Sequence, residues 1–382
     1  MKLSIIIPTK DRVQYCIGAI HQILSLGLSD FELIIQDNST TDDLRSEIEK
    51  LQPSNVVYNY HPGVLSFVDN FSEPLSFAKG DYICMIGDDD GVLPNITDAV
   101  NKALTEDIDA IIPSLDATYI WPSEKSIIRG AETGCLFYGN YSDKFQYVDV
   151  QKGLRQLMKK AGQDYQSLNI PRLYHGIVKR ERIEEIKKIS GHYFDGLTPD
   201  IYISVALCFV CDKVLKLKYP VTISGICPRS GSSDSATGKH TGELKDAPHF
   251  KGHTNYMWDE KAPYIYSVES IWAETVLHAL RNWNKNAYYD MFRVDVLDAI
   301  CYSKYPQFSQ RLLDHARKYK FKSLWIKCLA LSFSSKKKLE KYTNAIINRL
   351  TGKQRNFHKV HDVKDIYQAC IEIERIRNSK IL

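Results

Sequence analysis

No stretch of this 382-residue chain stays apolar long enough to cross a bilayer. The longest apolar-leaning run, Ile201–Cys211, falls short of the roughly 20 residues that a spanning helix needs. The opening residues, MKLSIIIPTKDR, lack the apolar core and small-residue cleavage site of a secretory leader. A cytoplasmic protein is therefore expected, with at most peripheral contact to the inner face of a membrane. The nine cysteines show no zinc spacing, and free buried thiols in a reducing compartment explain them best. No G-x-G-x-x-G follows the first apolar segment and no Walker A sequence occurs. Both absences argue against an ordinary dinucleotide or P-loop site.

What is present is ordinary in bulk and uneven in detail. Hydrophobic residues make up 44% and charged residues 25%, as in a soluble globular protein, and the length suits one large domain or a domain with an appendage. The net charge is +4, yet Phe321–Leu382 holds 14 Lys/Arg against 5 Asp/Glu, so the preceding 320 residues sum to −5. A basic tail on a mildly acidic body is either a solvated helical surface or a face for something anionic, membrane lipid or nucleic acid.

From residue 3 to about 113 short apolar runs alternate with helical patterns. Leu3–Pro8, Phe31–Ile35, Val56–Tyr60, the run from Tyr82 and Ala110–Pro113 read as strands. Asp11–Leu26, Thr41–Leu51, Phe67–Ala78 (despite Pro74) and Asn95–Leu104 read as the helices between them. Continuously apolar strands joined by helices predict an α/β fold with a mostly parallel sheet covered on both faces.

The chain is organised around Tyr82–Pro94, YICMIGDDDGVLP. An apolar run bounded by glycine reads as a buried strand, so Asp88, Asp89 and Asp90 sit where it leaves the sheet, the end where α/β proteins place ligands. Adjacent carboxylates repel one another unless a cation or a donor array holds them. In extended backbone Asp88 and Asp90 point to one side and Asp89 to the other. Converging carboxylate oxygens suit Mg²⁺ or Mn²⁺, and a solvated acidic turn is the plain alternative.

Taken together, IIIPTKDR at the first strand, QDNS after the second and AKGDYICMIGDDDGVLP at the fourth resemble the nucleotide-binding half of family 2 glycosyltransferases, which have the GT-A fold. The resemblance covers roughly residues 1–115. One departure stands out, since Gly87 occupies the position where many members carry the first Asp of the D-x-D motif. The resemblance implies that Pro8, Thr9 and Arg12 line base and ribose, with Asp37 and Asn38 beside them. Asp37 would accept the N3–H of uracil or thymine, because a carboxylate only accepts. It implies Asn70 at the nucleotide or diphosphate and Asp88 and Asp89 at the nucleotide sugar. The metal would be held by Asp88 and Asp90 with a histidine that follows the catalytic base.

Aromatics crowd residues 117–150, among them Tyr119, Trp121, Phe137, Tyr138, Tyr141, Phe145 and Tyr147, as a sugar-facing sheet or as plain core. Further on, Arg172–Val178 reads as a strand and Glu181–Ile189 as a helix. Before the apolar helix Ile201–Val210, Thr198 is a candidate N-cap, with Pro199 at the first position and Asp200 in the first turn. An inverting transfer needs one carboxylate to take the acceptor proton, and Asp200 is the candidate base, with Asp195 next. Residues 225–253 form a Gly/Ser/Thr-rich loop suited to a lid, carrying Arg229, Lys239 and His240, with His249 and His253 as other histidine candidates for the metal. From about residue 262 helical patterns dominate, at Tyr264–Leu280, Tyr288–Tyr302, Ser309–Tyr319, Leu324–Phe333, Lys337–Leu350 and Val363–Ile376.

The expected organisation is thus a nucleotide-sugar half (1–115), an acceptor half (116–261) and an α-helical C-terminal region (262–382). The expected activity is metal-dependent, inverting transfer from a UDP- or dTDP-sugar to a glycan or lipid-linked acceptor. The basic tail would then meet lipid rather than nucleic acid, or an apolar helical face would pair two copies. Rival readings are a nucleotidyltransferase, disfavoured because IIIPTKDR offers no Gly-rich phosphate loop, and a non-catalytic nucleotide-sugar-binding module.

Overall fold

The computed structural model describes residues 1–123, 132–139, 142–228, 241–250, 256–335 and 357–379. Its strands are β1 (Leu3–Thr9), β2 (Phe31–Asp37), β3 (Val56–Tyr60), β4 (Tyr82–Met85), β5 (Gly91–Val92), β6 (Ala110–Ile112), β7 (Ala117–Ile120), β8 (Cys135–Gly139), β9 (Phe145–Tyr147), β10 (Ile177–Lys179), β11 (Val214–Leu217), β12 (Thr222–Ile226), β13 (Thr241–Gly242), β14 (Tyr266–Ser267) and β15 (Phe357–Val360). Eight form the main sheet in the order β3-β2-β1-β4-β10-β6-β11-β9. Strands β1 to β4 are mutually parallel, β10 is antiparallel to both neighbours, β11 is parallel to β6, and β9 closes the edge antiparallel to β11.

The apolar strands are buried on both faces, and their alternation sorts two cores. Leu3, Ile5, Ile7, Leu33, Ile35, Tyr82 and Cys84 pack with Cys16, Ala19, Ile20 and Ile23 of the Val13–Ser25 helix. Ile6, Ile34, Ile83 and Met85 face the other way, toward Leu154, Leu157, Ile183, Ile201 and Val205. Strand β1 pairs with β2 on one side and β4 on the other, so the chain order reverses at β1. At this switch point the carboxyl ends of three strands open a crevice. Thr9 stands opposite Asp37 at that end, and the acidic triplet follows β4.

A second sheet, β15-β8-β7-β12-β5, braces the acidic segment from outside. Strand β12 pairs Ile223 with Gly91 and runs parallel to β7. Gly225 is indispensable there, because a Cβ would lie 1.8 Å from the Asp89 carbonyl oxygen. Strand β15 pairs antiparallel with β8, and Ile366 of the Ile366–Asn378 helix packs beside Gly91. The C-terminal region therefore contributes a strand as well as helices to the core that carries the acids.

Several local expectations shift. Phe67–Ser72 is α-helix, continued by a 3-10 turn, Glu73–Phe77, that admits Pro74 in its first turn. Of the expected Arg172–Val178 strand only Ile177 and Val178 are extended, in a strand that runs on to Lys179. Gly176 sits so close to the Arg172 carbonyl that a Cβ would lie 1.8 Å away, and His175 takes φ +54°. The 172–176 stretch is thus a tight turn. Tyr119, Trp121 and Tyr138 are buried core, whereas Phe145 and Tyr147 are exposed at the sheet edge. Tyr141 and the helix expected at Lys337–Leu350 lie outside the described residues. The expected 225–253 loop has structure at its rims, where β13 pairs with β14. All nine cysteines are free and eight are buried, including the Cys208-x-x-Cys211 pair, whose thiols burial pushes well above their ordinary pKa.

Candidate active site

Arg12 organises the acidic strand end. It stands just before the Val13–Ser25 helix and grips Asp88 with two nitrogens, Nε at 3.0 Å and a terminal nitrogen at 2.5 Å. Its other terminal nitrogen lies 3.8 Å from Asp89 and 3.5 Å from the Cys227 sulfur. Thr9 donates to Asp88 at 2.5 Å. Burial works against the guanidinium charge, but Asp88 and Asp89 outweigh it and hold Arg12 protonated.

The three carboxylates are not equivalent. Burial pushes Asp88 up to about 7 despite Arg12, and burial with the neighbouring Asp90 pushes Asp89 up to about 6. Asp90 moves the other way. Its burial is overcome by His175 and by backbone N–H groups of Gly225 and Gly87, which lower its pKa. One oxygen accepts from Gly87 N at 2.6 Å and Tyr174 OH at 2.9 Å and lies 3.2 Å from His175 Nε2, while the other accepts from Gly225 N at 2.7 Å. His175 is positioned in turn by Thr222, 2.8 Å from Nδ1. Asp90 is the electrostatic keystone of the turn.

Asp89, Asp90 and Arg12 line a cavity of about 550 Å³, and Asp200 lines the same cavity. Asp200 sits in the first turn of the Pro199–Leu207 helix. It accepts a 2.5 Å hydrogen bond from the Tyr165 hydroxyl. Burial raises its pKa, and the Tyr165 bond opposes that rise without cancelling it. A carboxylate with a raised pKa beside a cavity is suited to general-base work. Thr198 holds the N-cap position, but its hydroxyl bonds to Thr275 at 3.0 Å instead of capping the helix. Asp195 is spoken for by His278 at 3.0 Å, Asn282 at 2.6 Å and Gly196 N at 2.7 Å, and its pKa is lowered to about 2 against the effect of burial. It does not line the cavity. Asp200 is the better placed of the two.

The remaining expected residues hold the crevice together. Asp37 is fully buried and accepts from Tyr58 OH at 2.9 Å and Ser39 N at 2.8 Å. Asn38 donates to the carbonyls of His61 and Gly63 and accepts from Lys10, tying down the loop after β3. Pro8 pairs with Gln36 inside the sheet. Asn70 donates to the Thr9 carbonyl at 3.4 Å, and its buried Oδ1 has no hydrogen-bond partner among the described residues. His249 lines the cavity between the rings of Phe67 and Tyr266, each 5.8 Å away. Arg229, Lys239, His240 and His253 lie outside the described residues.

The donor set bears on the expected metal. Asp90 already accepts from four donors, and both oxygens of Asp88 meet Arg12. As placed, neither has the open oxygen pair of a chelating ligand. Asp89 is less enclosed: it lines the cavity, its Oδ1 lies 3.8 Å from Arg12 and its Oδ2 accepts from Cys227 N at 3.1 Å. One carboxylate plus substrate phosphate oxygens is a common Mg²⁺ arrangement, so Asp89 is the residue that fits such an ion. Among the described residues, the grouping with metal-like ligand spacing is Glu132, Cys135 and His361, on the second sheet.

Tyr174, His175, Tyr165, Gln166 and Trp272 were not singled out from the sequence. The one local signal was Gly87, a glycine where an acid is usual, which leaves room for the Tyr174 hydroxyl.

A mixed α/β sheet with a crevice at β1, an acidic strand end and a fourth carboxylate across a cavity has the architecture expected of the GT-A class. Residues 4–174, a little under half of the chain, match the family described as glycosyl transferase family 2. The chain is similar to the GalNAc(5)-diNAcBac-PP-undecaprenol beta-1,3-glucosyltransferase of Campylobacter jejuni, with 32% identity over 98 residues, which are 24% of this chain and 31% of the relative. The chain thus spans about a third of the length of that relative. Staphylococcus aureus TarS 1–349 in complex with UDP-GlcNAc aligns over 88% of this chain and 92% of its own, with 12% identity and a TM-score of 0.48. TarS 1–349 in complex with UDP aligns over the same shares with 11% identity and a TM-score of 0.47.

Proposed function

We propose that this chain is a glycosyltransferase that moves a sugar from a UDP- or dTDP-sugar to a hydroxyl of a glycan or lipid-linked acceptor, with inversion. The observation that carries the proposal is the placement of Asp200 and of the Arg12–Asp89 pair on one cavity. In this reading Asp200 removes the hydroxyl proton as the acceptor oxygen bonds to the anomeric carbon. The bond from that carbon to the diphosphate breaks, and the nucleoside diphosphate leaves with the electron pair. Arg12 supplies positive charge at the leaving group. A Mn²⁺ or Mg²⁺ ion held by Asp89 would add to it by neutralising the diphosphate. Thr9, Asp37, Asn38 and Asn70 border the crevice in which base and ribose would lie, and the unpartnered Asn70 oxygen supports a ligand there.

A lipid-linked acceptor is supported by the Campylobacter relative, whose name specifies a PP-undecaprenol-linked saccharide. No helix of the described residues is long and apolar enough to cross a membrane. Peripheral contact is supported by exposed Leu324 and Leu331 on the helix at 323–335, near Lys322 and Lys327. Co-sedimentation with anionic vesicles should weaken in Lys322→Glu/Lys327→Glu. Point substitutions are needed, because truncation after residue 320 would remove β15 and the Ile366–Asn378 helix from the core.

The reading as a whole is tested by following nucleoside diphosphate release with an acceptor present. Release of pyrophosphate would indicate nucleotidyl transfer, and no product with any nucleotide sugar would leave a binding module.

A further inference from the structure

The cavity is lined by two unlike groups of residues. One is Arg12, Asp89, Asp90 and His175, around the acidic strand end, and the other is Asp200 and Gln166 with Ile271 and Trp272. Trp272 belongs to the Val268–Asn282 helix, outside the stretch that matches the family. The capping box formed by Ser267 and Ser270 fixes where that helix begins. Its Ala273, Val276 and Leu277 are buried in the main core, and Trp272, half-buried, packs against that core and also lines the cavity.

Trp272 is coupled to the candidate base through one side chain. Its ring meets the Tyr165 ring at 5.5 Å and 84°, and the Tyr165 hydroxyl donates to Asp200 at 2.5 Å. A perpendicular contact on one side leaves an indole face uncovered by Tyr165. The indole N–H has no protein acceptor among the described residues. Gln166, exposed beside Tyr165, brings an amide to the same group of lining residues. A flat apolar face flanked by a carboxylate and an amide matches a pyranose ring, whose axial C–H bonds form an apolar face and whose rim is hydroxyls.

We infer that Trp272 is the platform on which the acceptor's terminal sugar stacks, so that the acceptor is a saccharide and its nucleophilic hydroxyl is directed to Asp200. The inference rests on the glycosyltransferase reading and makes the C-terminal helical region part of the acceptor subsite. Gln166 then accepts or donates a hydrogen bond to a neighbouring hydroxyl of the same ring.

The test uses the full chain and two variants, Trp272→Ala and Trp272→Phe, with p-nitrophenyl pyranosides and a polyprenyl phosphate as acceptor probes. Circular dichroism monitors folding, and UDP and dTDP titration monitors the donor side. Trp272→Ala should raise the pyranoside KM by about tenfold, the scale of one aromatic stacking contact, with nucleotide affinity kept within about twofold. Trp272→Phe should recover most of the loss. Unchanged pyranoside KM in Trp272→Ala would overturn the assignment. So would a wild-type chain that transfers to the polyprenyl phosphate and to none of the pyranosides. A wild-type chain that binds no nucleotide would instead remove the glycosyltransferase reading itself.

Discussion

The Gly87 backbone and the Tyr174 hydroxyl share one small volume: a Cβ on residue 87 would lie 2.6 Å from that oxygen, which donates to Asp90 at 2.9 Å. The unusual glycine and the tyrosine 87 residues further on are therefore two halves of one arrangement. Gly87→Ala should cost about 1–3 kcal/mol by overpacking. Tyr174→Phe removes the clashing oxygen, so the double variant Gly87→Ala/Tyr174→Phe should be more stable than the sum of the single changes predicts. A thermal-denaturation double-mutant cycle showing simple additivity would break the link.

Asp200 should behave as a group placed for function rather than stability. Its pKa is raised on folding by burial, so its ionised form weighs against the folded state once the pH exceeds its unfolded value. Asp200→Asn is therefore expected to melt at or above the wild-type temperature near neutral pH while turnover falls at least about a hundredfold. The wild-type rate should drop as pH falls through a value above the ordinary carboxylate range near about 4. A variant with near-normal kcat would show that Asp200 is not the base.

Asp195 should give the opposite pattern. Its pKa of about 2 lies below its unfolded value, so its carboxylate, held by His278, Gly196 N and Asn282, stabilises the fold above that unfolded value, and the contribution is lost as the pH falls toward about 2. Asp195→Asn should lower the melting temperature modestly at neutral pH and leave kcat within about threefold. A loss of turnover as deep as that of Asp200→Asn would reverse the two roles.

Nucleotide binding should separate Asp89 from Asp90. Calorimetric titration with UDP, dTDP, CDP and GDP, each with and without Mn²⁺, is expected to favour UDP or dTDP. Asp89→Ala should abolish the gain due to Mn²⁺. Asp90→Asn should act mainly on stability, by about 3 kcal/mol, because it removes a buried charge facing four donors. If Asp89→Ala keeps the whole metal effect, the ion is held elsewhere.

Arg12→Met tests the cation at the acidic strand end. With the guanidinium gone, Asp88 and Asp89 lose their shared counter-charge, and nucleoside diphosphate affinity should fall by about tenfold or more even with Mn²⁺ present. Unchanged affinity would mean that Arg12 serves only to hold Asp88.

The period and order of apolar residues were enough to determine the sheet at β1 to β4, the helices between them and the crevice at their ends. Those features follow from which residues alternate or recur along one short segment. The position of Asp200 was legible for the same reason, since Pro199-Asp200 ahead of an apolar run marks a helix start; its role as base came from the family resemblance. What each carboxylate does was decided by tertiary structure. Asp88, Asp89 and Asp90 are neighbours in the chain, yet one is held by Arg12, one faces the cavity and one is enclosed by Tyr174, His175 and Gly225. These partners come from the residue just before the first helix, the turn before β10 and strand β12, which no local pattern places together. Trp272 is the extreme case: in sequence it belongs to an amphipathic helix, and only packing of that helix against the Pro199–Leu207 helix brings its ring to the cavity. Segment-by-segment periodicity says that a residue is buried or exposed; what it is buried against is set by long-range contacts.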